Sequence, residues 1–194
     1  MLSDLEIRRN LFHLVTGVIL SLMLFKQVFP PWLWTVCFAI AMVLSVLARY
    51  EELPLLSWML RQYEREKDIK RFPGRGAVLM LGMATALSWA FPDSISAAAM
   101  MILAIGDSVS PLIGQYGSMK HPLNHLKHIE GTFAGIAAAT VSCLWFVPWW
   151  HALIAATVAM TVETLEIELN KHILDDNITI PLIAGIILWI LTYI

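Results

Sequence analysis

At 194 residues, 58% hydrophobic and only 14% charged, with a mean hydropathy of +0.70, the chain is far more apolar than an average soluble domain. A formal net charge of −2 gives no electrostatic case for a nucleic-acid partner. The two cysteines, Cys37 and Cys143, both lie inside apolar runs, which excludes a disulfide framework and a cysteine metal site and marks them as small core residues.

The chain opens with Ser3-Asp4-Leu5-Glu6, a capping-box pattern that starts a helix just outside a bilayer. Glu6, Arg9, His13 and Gly17 then recur at helical spacing, so one polar stripe runs down the first span. Arg8-Arg9 before an apolar run resembles an export signal, but no small-residue cleavage site follows and further apolar runs do. The spans expected are Leu11 to Phe29, Trp32 to Ala48, Gly76 to Phe91, Ile95 to about Ile113, Thr132 to Val147, Trp150 to about Leu169, and Ile178 to Ile194. The fold expected is therefore all-α: a polytopic membrane bundle of about seven transmembrane helices, forming one catalytic domain over residues 1–194. Residues 49–75 read as an amphipathic loop, with Leu55, Leu56, Trp58, Met59 and Tyr63 for the membrane interface and Glu64 to Lys70 facing water. No chemistry is assigned to it.

Lysine and arginine set the orientation. With the N-terminus inside, 12 of the 13 fall in cytosolic segments and only Lys26 lies outside, which puts the C-terminus outside. Depth follows from the helical rise: Asp107 is about 20 Å in from the outer surface, and Glu163 lies at a similar depth. Glu163, Glu166 and Asn170 share one helix face, and His13 enters the same layer from the opposite direction. Lys127 to Glu130 and Asp175-Asp176-Asn177 stand at its rim.

An ionisable group in an apolar span marks a functional site by default. Asp107 sits in Ala104 to Thr132, a stretch rich in glycine and lysine, where glycines admit a bulky ligand and lysines suit an anion. Carboxylates beside lysine and arginine at a membrane surface suit a nucleoside phosphate with Mg²⁺, since Mg²⁺ takes one or two carboxylates plus phosphate oxygens. A lipid could reach the same layer from the bilayer. The chemistry indicated is phosphoryl or nucleotidyl transfer onto a lipid.

Gly106-Asp107-Ser108 with Gly114 and Gly117, then Lys127-x-x-Glu130-Gly131-Thr132, resembles the signature of the dolichol kinase, phytol kinase and CTP-dependent diacylglycerol kinase family. The resemblance extends to Glu6-Ile7-Arg8-Arg9 with His13 and Gly17, to Arg71 to Gly76, and to Asp176-Asn177-Ile178-Thr179-Ile180-Pro181. It implies an integral membrane kinase of minimal prokaryotic size, using CTP as donor and Mg²⁺ as cofactor. It further implies that Gly106, Ser108, Gly114, Gly117, Lys120, Gly131, Thr132 and Asn177, with Arg9, Arg71 and Arg75, bind the nucleotide. Pro111, where a small non-proline residue is expected, departs from the pattern.

On this reading Asp107, Glu163 and Asp176 are metal ligands, and Asp107, Lys127, Glu130, His13 and Glu163 are catalytic. Each has a plainer reading: a buried ion pair for Asp107, an i, i+3 pair for Lys127 and Glu130, a hydrogen-bonded core histidine for His13, and topology anchors for Arg8, Arg9, Arg71 and Arg75. Glu168 is expected to pair with Lys171 or His172, and Gly131, Gly135 and Ala139 to mark close helix packing. The substrates expected are CTP and a lipid alcohol (dolichol or another polyprenol, phytol or geranylgeraniol, or diacylglycerol), in the plasma membrane of a prokaryote with the site facing the cytosol. A cytidylyltransferase making a CDP-lipid and a small ion-coupled transporter are the rival readings, and oligomeric state is left open.

Overall fold

The computed structural model describes residues 2–51, 53–122, 124–169 and 175–194, apart from the side chains of residues 67, 125, 126 and 165–169. Glu166, Asn170 and the expected partners of Glu168 thus fall outside the described residues or side chains.

Helix α1 (Asp4–Phe25) starts at the expected capping box: the Ser3 hydroxyl accepts from the Glu6 N–H at 3.3 Å, and the Glu6 carboxylate accepts from the Ser3 N–H at 3.2 Å. Helix α2 (Pro31–Tyr50) follows a Pro-rich turn, with Pro at a position whose N–H has no helical partner. Two short helices, α3 (Pro54–Tyr63) and α4 (Glu66–Arg71), occupy the amphipathic loop. Helix α5 (Arg75–Ala90) begins after Gly74, whose φ of +73° is one that a residue with a Cβ adopts only under strain.

The next helix runs unbroken over Asp93–Gly114 and is the axis of the fold. It consists of α6 (Asp93–Met101), a π-helical segment (Ile102–Asp107) and α7 (Ser108–Gly114). Pro111 offers no N–H to the carbonyl of Asp107, four residues back, and this favours the wider turn immediately before it. A hairpin follows, β1 (Lys120–His121) paired antiparallel with β2 (Asn124–His128). The sequence carries no alternating pattern there, and the strands form because a short polar connection must satisfy its own backbone groups. Helices α8 (Ile129–Ser142), α9 (Trp149–Leu169) and α10 (Asp176–Tyr193) complete the chain.

The described residues are thus predominantly helical, with the hairpin as their β structure. Four helical stretches among them are long and apolar enough to cross a membrane: Asp4–Phe25, Pro31–Tyr50, Asp93–Gly114 and Asp176–Tyr193. Helices α5 and α8 are shorter, at 16 and 14 residues. In its apolar window the axial helix is 67% buried and α2 only 11%, so the first is the centre of the bundle and the second its outermost member.

Missing side chains set the distances between these helices. A Cβ on Gly17 would stand 2.6 Å from the Ala104 Cβ, so α1 crosses the π segment in close contact. Cβ atoms on Gly131 and Gly135 would stand 2.4 Å from the Ser110 carbonyl oxygen and 2.7 Å from that of Gly106. The four-residue spacing of Gly131, Gly135 and Ala139 is therefore the face that α8 lays against the axial helix.

Candidate active site

The π segment ends on Asp107, which emerges where the axial helix leaves the dry core. Helix α9 brings Glu163 to the same level one turn beyond the fully buried Ala159 and Met160, and α10 brings Asp176 in its first turn. Carboxylate oxygens of Asp107, Glu163 and Asp176 lie within 4.8 Å of one another. These three residues are far apart in sequence and are the trio expected to hold a metal. Asp107, Asp176 and Asn177 line a cavity of about 400 Å³ together with Arg9, His13 and Arg75.

The polar contacts inside this group are uneven. Lys127 reaches from β2 and donates to both carboxylate oxygens of Glu163, closing an ion pair in which the glutamate side chain is 5% exposed. His13 Nε2 stands 3.7 Å from Asp107 Oδ2, too far for a hydrogen bond, and is buried with no hydrogen-bond partner among the described residues. Asn177 donates its backbone N–H to Asp175 at 3.1 Å and to Asp176 at 2.9 Å, while its side-chain oxygen is likewise buried and without a hydrogen-bond partner. Arg75 pairs with Asp175 at 2.9 Å. Burial works to raise the Asp175 carboxyl, but hydrogen bonds with Asp176 and Asn177 and the charge of Arg75 outweigh it and hold the group below the usual carboxylate range.

The amphipathic loop, to which the sequence assigns no chemistry, supplies the opposite wall. Leu56, Met59, Leu60 and Tyr63 line the cavity, whereas Leu55 and Trp58 point away and are 73% and 58% exposed. The Tyr63 ring stacks on Phe12 of α1 with centroids 4.8 Å apart, and Arg65 pairs with Glu6 at 2.7 Å, so the loop is fastened to α1 at two points. Glu64 also lines the cavity; burial raises its carboxyl above the ordinary value, partly offset by the Gly74 N–H that it accepts at 2.9 Å. The signal for this wall was present: positions 56, 59, 60 and 63 form a second apolar stripe at i, i+3, i+4, i+7, which a membrane-facing reading of the loop absorbed.

Several expected ligand-binding residues are elsewhere. Gly106, Gly114 and Gly131 are filled by helix packing: a Cβ on Gly106 would meet the Met160 sulfur at 3.0 Å, and Gly114 and Gly131 face each other across α7 and α8. Ser108 and Thr132 are buried, and their hydroxyls lack a hydrogen-bond partner among the described residues. Lys120 is exposed on β1, and Arg71 is exposed at the end of α4 and outside the cavity wall. The Glu130 carboxylate turns back to the hairpin, where Oε1 accepts from the N–H groups of Ser118 at 2.7 Å and Met119 at 3.0 Å. Its own backbone N–H and those two hold its carboxyl down at about 2.

No family model matches the chain, and no solved structure matches it. It is 29% identical over 189 residues to an uncharacterized protein of Methanocaldococcus jannaschii, covering 94% of this chain and 92% of that one. It is also 30% identical over 99 residues to the dolichol kinase EVAN of Arabidopsis thaliana. That similarity takes in 44% of this chain and 16% of the length of the kinase.

Proposed function

We infer that the protein is a lipid kinase, transferring the terminal phosphoryl group of CTP to the hydroxyl of a membrane lipid alcohol, with its site open to the cytosol. The observation that carries this reading is the convergence of Asp107, Glu163 and Asp176 from three helices, with Asp107 and Asp176 lining a cavity that Arg9 and Arg75 also line. The partial similarity to a dolichol kinase supports the choice of a phosphoryl transfer onto a polyprenol-like acceptor. The lysine and arginine distribution, 12 against 1, supports a cytosolic N-terminus and hence a cytosolic opening.

The donor set suits Mg²⁺. Oxygens around that ion stand about 3–4 Å apart when each lies at about 2.0–2.1 Å from the metal, and the three carboxylates need little movement to meet this. Asp107 and Asp176 would hold the ion, with Glu163 joining once Lys127 lets it go, and the bound ion would neutralise phosphate charge. Arg9 and Arg75 line the cavity, and their guanidinium groups would take the remaining phosphate oxygens, Arg75 by exchanging its partner Asp175 for phosphate. His13, with a nitrogen unclaimed by any hydrogen bond, is suited to orient the acceptor hydroxyl. The Leu56, Met59 and Leu60 wall suits the first carbons of the lipid.

In-line transfer then requires the lipid oxygen to bond to the γ-phosphorus as the bond to the β-phosphate oxygen breaks, leaving CDP, while a free carboxylate accepts the hydroxyl proton. The test supplies purified protein with Mg²⁺, a panel of lipid alcohols and lipid phosphates, and CTP labelled on its α or γ phosphate. Gamma label in a lipid alcohol is the expected result. Alpha label in a lipid phosphate would make the protein a cytidylyltransferase, and no label from CTP or from a parallel ATP control would remove the kinase reading.

A further inference from the structure

We propose that Glu130 is a positioning residue that acts through Lys127: by clamping the base of the hairpin, it holds the Lys127 ammonium on Glu163 at the edge of the carboxylate cluster. Under the lipid-kinase reading, on which only the turnover part of the test rests, this removes Glu130 from the nucleotide and gives it to the hairpin.

The geometry of the clamp is specific. One oxygen of Glu130, Oε1, accepts from three donors of the strand entrance, the backbone N–H groups of Ser118 and Met119 and the Ser118 hydroxyl at 3.2 Å. The Ile129 N–H closes the same junction onto the Met119 carbonyl at 3.0 Å, and Lys120 pairs with His128 across the strands. The two ends of β2 are therefore fixed, Asn124 opposite His121 and His128 opposite Lys120, and Lys127 lies in the irregular stretch between them, one residue from the clamped end. The second oxygen, Oε2, is buried and accepts from no described residue. It lies 2.7 Å from where a Cβ on Gly117 would stand, with the His128 Cβ at 2.8 Å from the same point. Gly117 is thus the residue that lets the carboxylate lie against the strand, and any side chain there would evict it.

The charge on Lys127 gives the clamp its consequence. An ammonium bonded to both oxygens of Glu163 occupies the place where a divalent cation would sit on that carboxylate. Two cations cannot share it at close range, so Lys127 and the metal compete for Glu163 until an anionic phosphate offers the lysine a second partner. A hairpin that is loose at its base would deliver the ammonium to neither.

Lysine acylation in the intact membrane protein reads the clamp without reference to catalysis. A brief pulse of acetic anhydride, followed by mass spectrometry, compares Lys127 with Lys120, which is exposed on the same hairpin. Lys127 is expected to react at least about tenfold more slowly than Lys120 in the wild type and in Glu130→Gln, whose carbonyl oxygen can still take the three donors. In Glu130→Ala, and in Gly117→Ala should the first variant misfold, it should approach the Lys120 rate. Turnover with labelled CTP gives the second readout. Glu130→Ala is expected to lose about 10–100-fold, Glu130→Gln to remain at least about tenfold more active than Glu130→Ala, and Glu130→Ala to add nothing in a Lys127→Ala background. Equal loss in the Gln and Ala variants, an additive double variant, or a Lys127 acylated as fast as Lys120 in the wild type would overturn the proposal. The expected acylation pattern without any turnover would overturn the kinase reading alone.

Discussion

The two ends of the bundle are made from the same helices and treat their interiors in opposite ways. At the end where α6 and α9 begin, Ala97, Ala98, Ala99, Cys143, Ala152, Ala155 and Ala156 have no exposed surface at all, and the small polar groups among them are spent on backbone carbonyls, with His151 Nδ1 the buried exception that has no hydrogen-bond partner among the described residues. Ser21 donates to Ala97 at 2.7 Å, Ser96 to Leu87 at 2.9 Å, and Cys143 lies 3.5 Å from the Ala98 carbonyl. At the other end the same two helices deliver Asp107 and Glu163, and polar atoms on His13 and Asn177 lie buried with no hydrogen-bond partner among the described residues. Small side chains at one end let the helices meet and expel everything else; charged ones at the other keep them apart around a cavity. Close packing is thus concentrated at one end of the bundle, and the cavity and its charged groups at the other.

This contrast can be broken from either side. The largest effect is expected from Asp107→Asn, which preserves shape and removes one charge: turnover should fall by at least about a thousandfold, with little change in the thermal unfolding of the detergent-solubilised protein. An active Asp107→Asn enzyme would sink the assignment of the site. Ala156→Leu makes the reverse case. Extra methylenes in a filled contact cost about 1–3 kcal/mol, so its unfolding temperature should drop while the Michaelis constant of whatever folded protein remains stays unchanged. Arg75→Ala should be milder. Its ion pair with Asp175 is half exposed on the arginine side and contributes below about 1 kcal/mol to stability, so the loss should fall on the Michaelis constant for the nucleotide and leave the unfolding temperature in place.

The smallest effect is a pH dependence. Glu130 is held at about 2 in the folded protein and has an ordinary value of 4.5, so the unfolded chain takes up the proton first. Its contribution to stability is therefore complete above about pH 4.5 and is lost as pH falls towards about 2. Unfolding temperatures measured across that interval should decline more steeply for the wild type than for Glu130→Gln, which has no proton to gain.

Two of the carboxylates could be found in the sequence because each violates a local rule: Asp107 and Glu163 interrupt apolar runs, and charge in such a run needs a reason, whereas Asp176 was expected at the rim of the same layer, just before the last span. Helical spacing and a count of rise per residue then put them in one layer, and the structure has them adjacent. The glycines were harder. The same spacing serves a ligand or a neighbouring helix, and the atoms opposite Gly106, Gly114 and Gly131 are those of neighbouring helices. The direction of Glu130 was out of reach, because its partners are backbone groups of Ser118 and Met119, and any residues at those positions would offer the same N–H. The hairpin lacks alternation, and the π segment over Ile102–Asp107 has no mark in the apolar pattern, where the following Pro111 reads as an ordinary break. Leu56 and Met59 were placed in the membrane because a helix apolar on two faces gives no sign of which face looks inward.

The cluster of Asp107, Glu163 and Asp176 also has an order in time. The first of these residues leaves the ribosome long before the last, and the final helix, α10, brings both Asp176 and much of the packing around Ile180, Ala184 and Leu188. Until that helix arrives, Asp107 and Glu163 are acidic groups in a half-built bundle, with Lys127 already synthesised and able to shield one of them. If Lys127 and a metal compete for Glu163 as proposed, the same ion pair would also neutralise that acid before the cluster is complete, and a nascent protein halted before residue 176 would carry Asp107 and Glu163 without the third carboxylate.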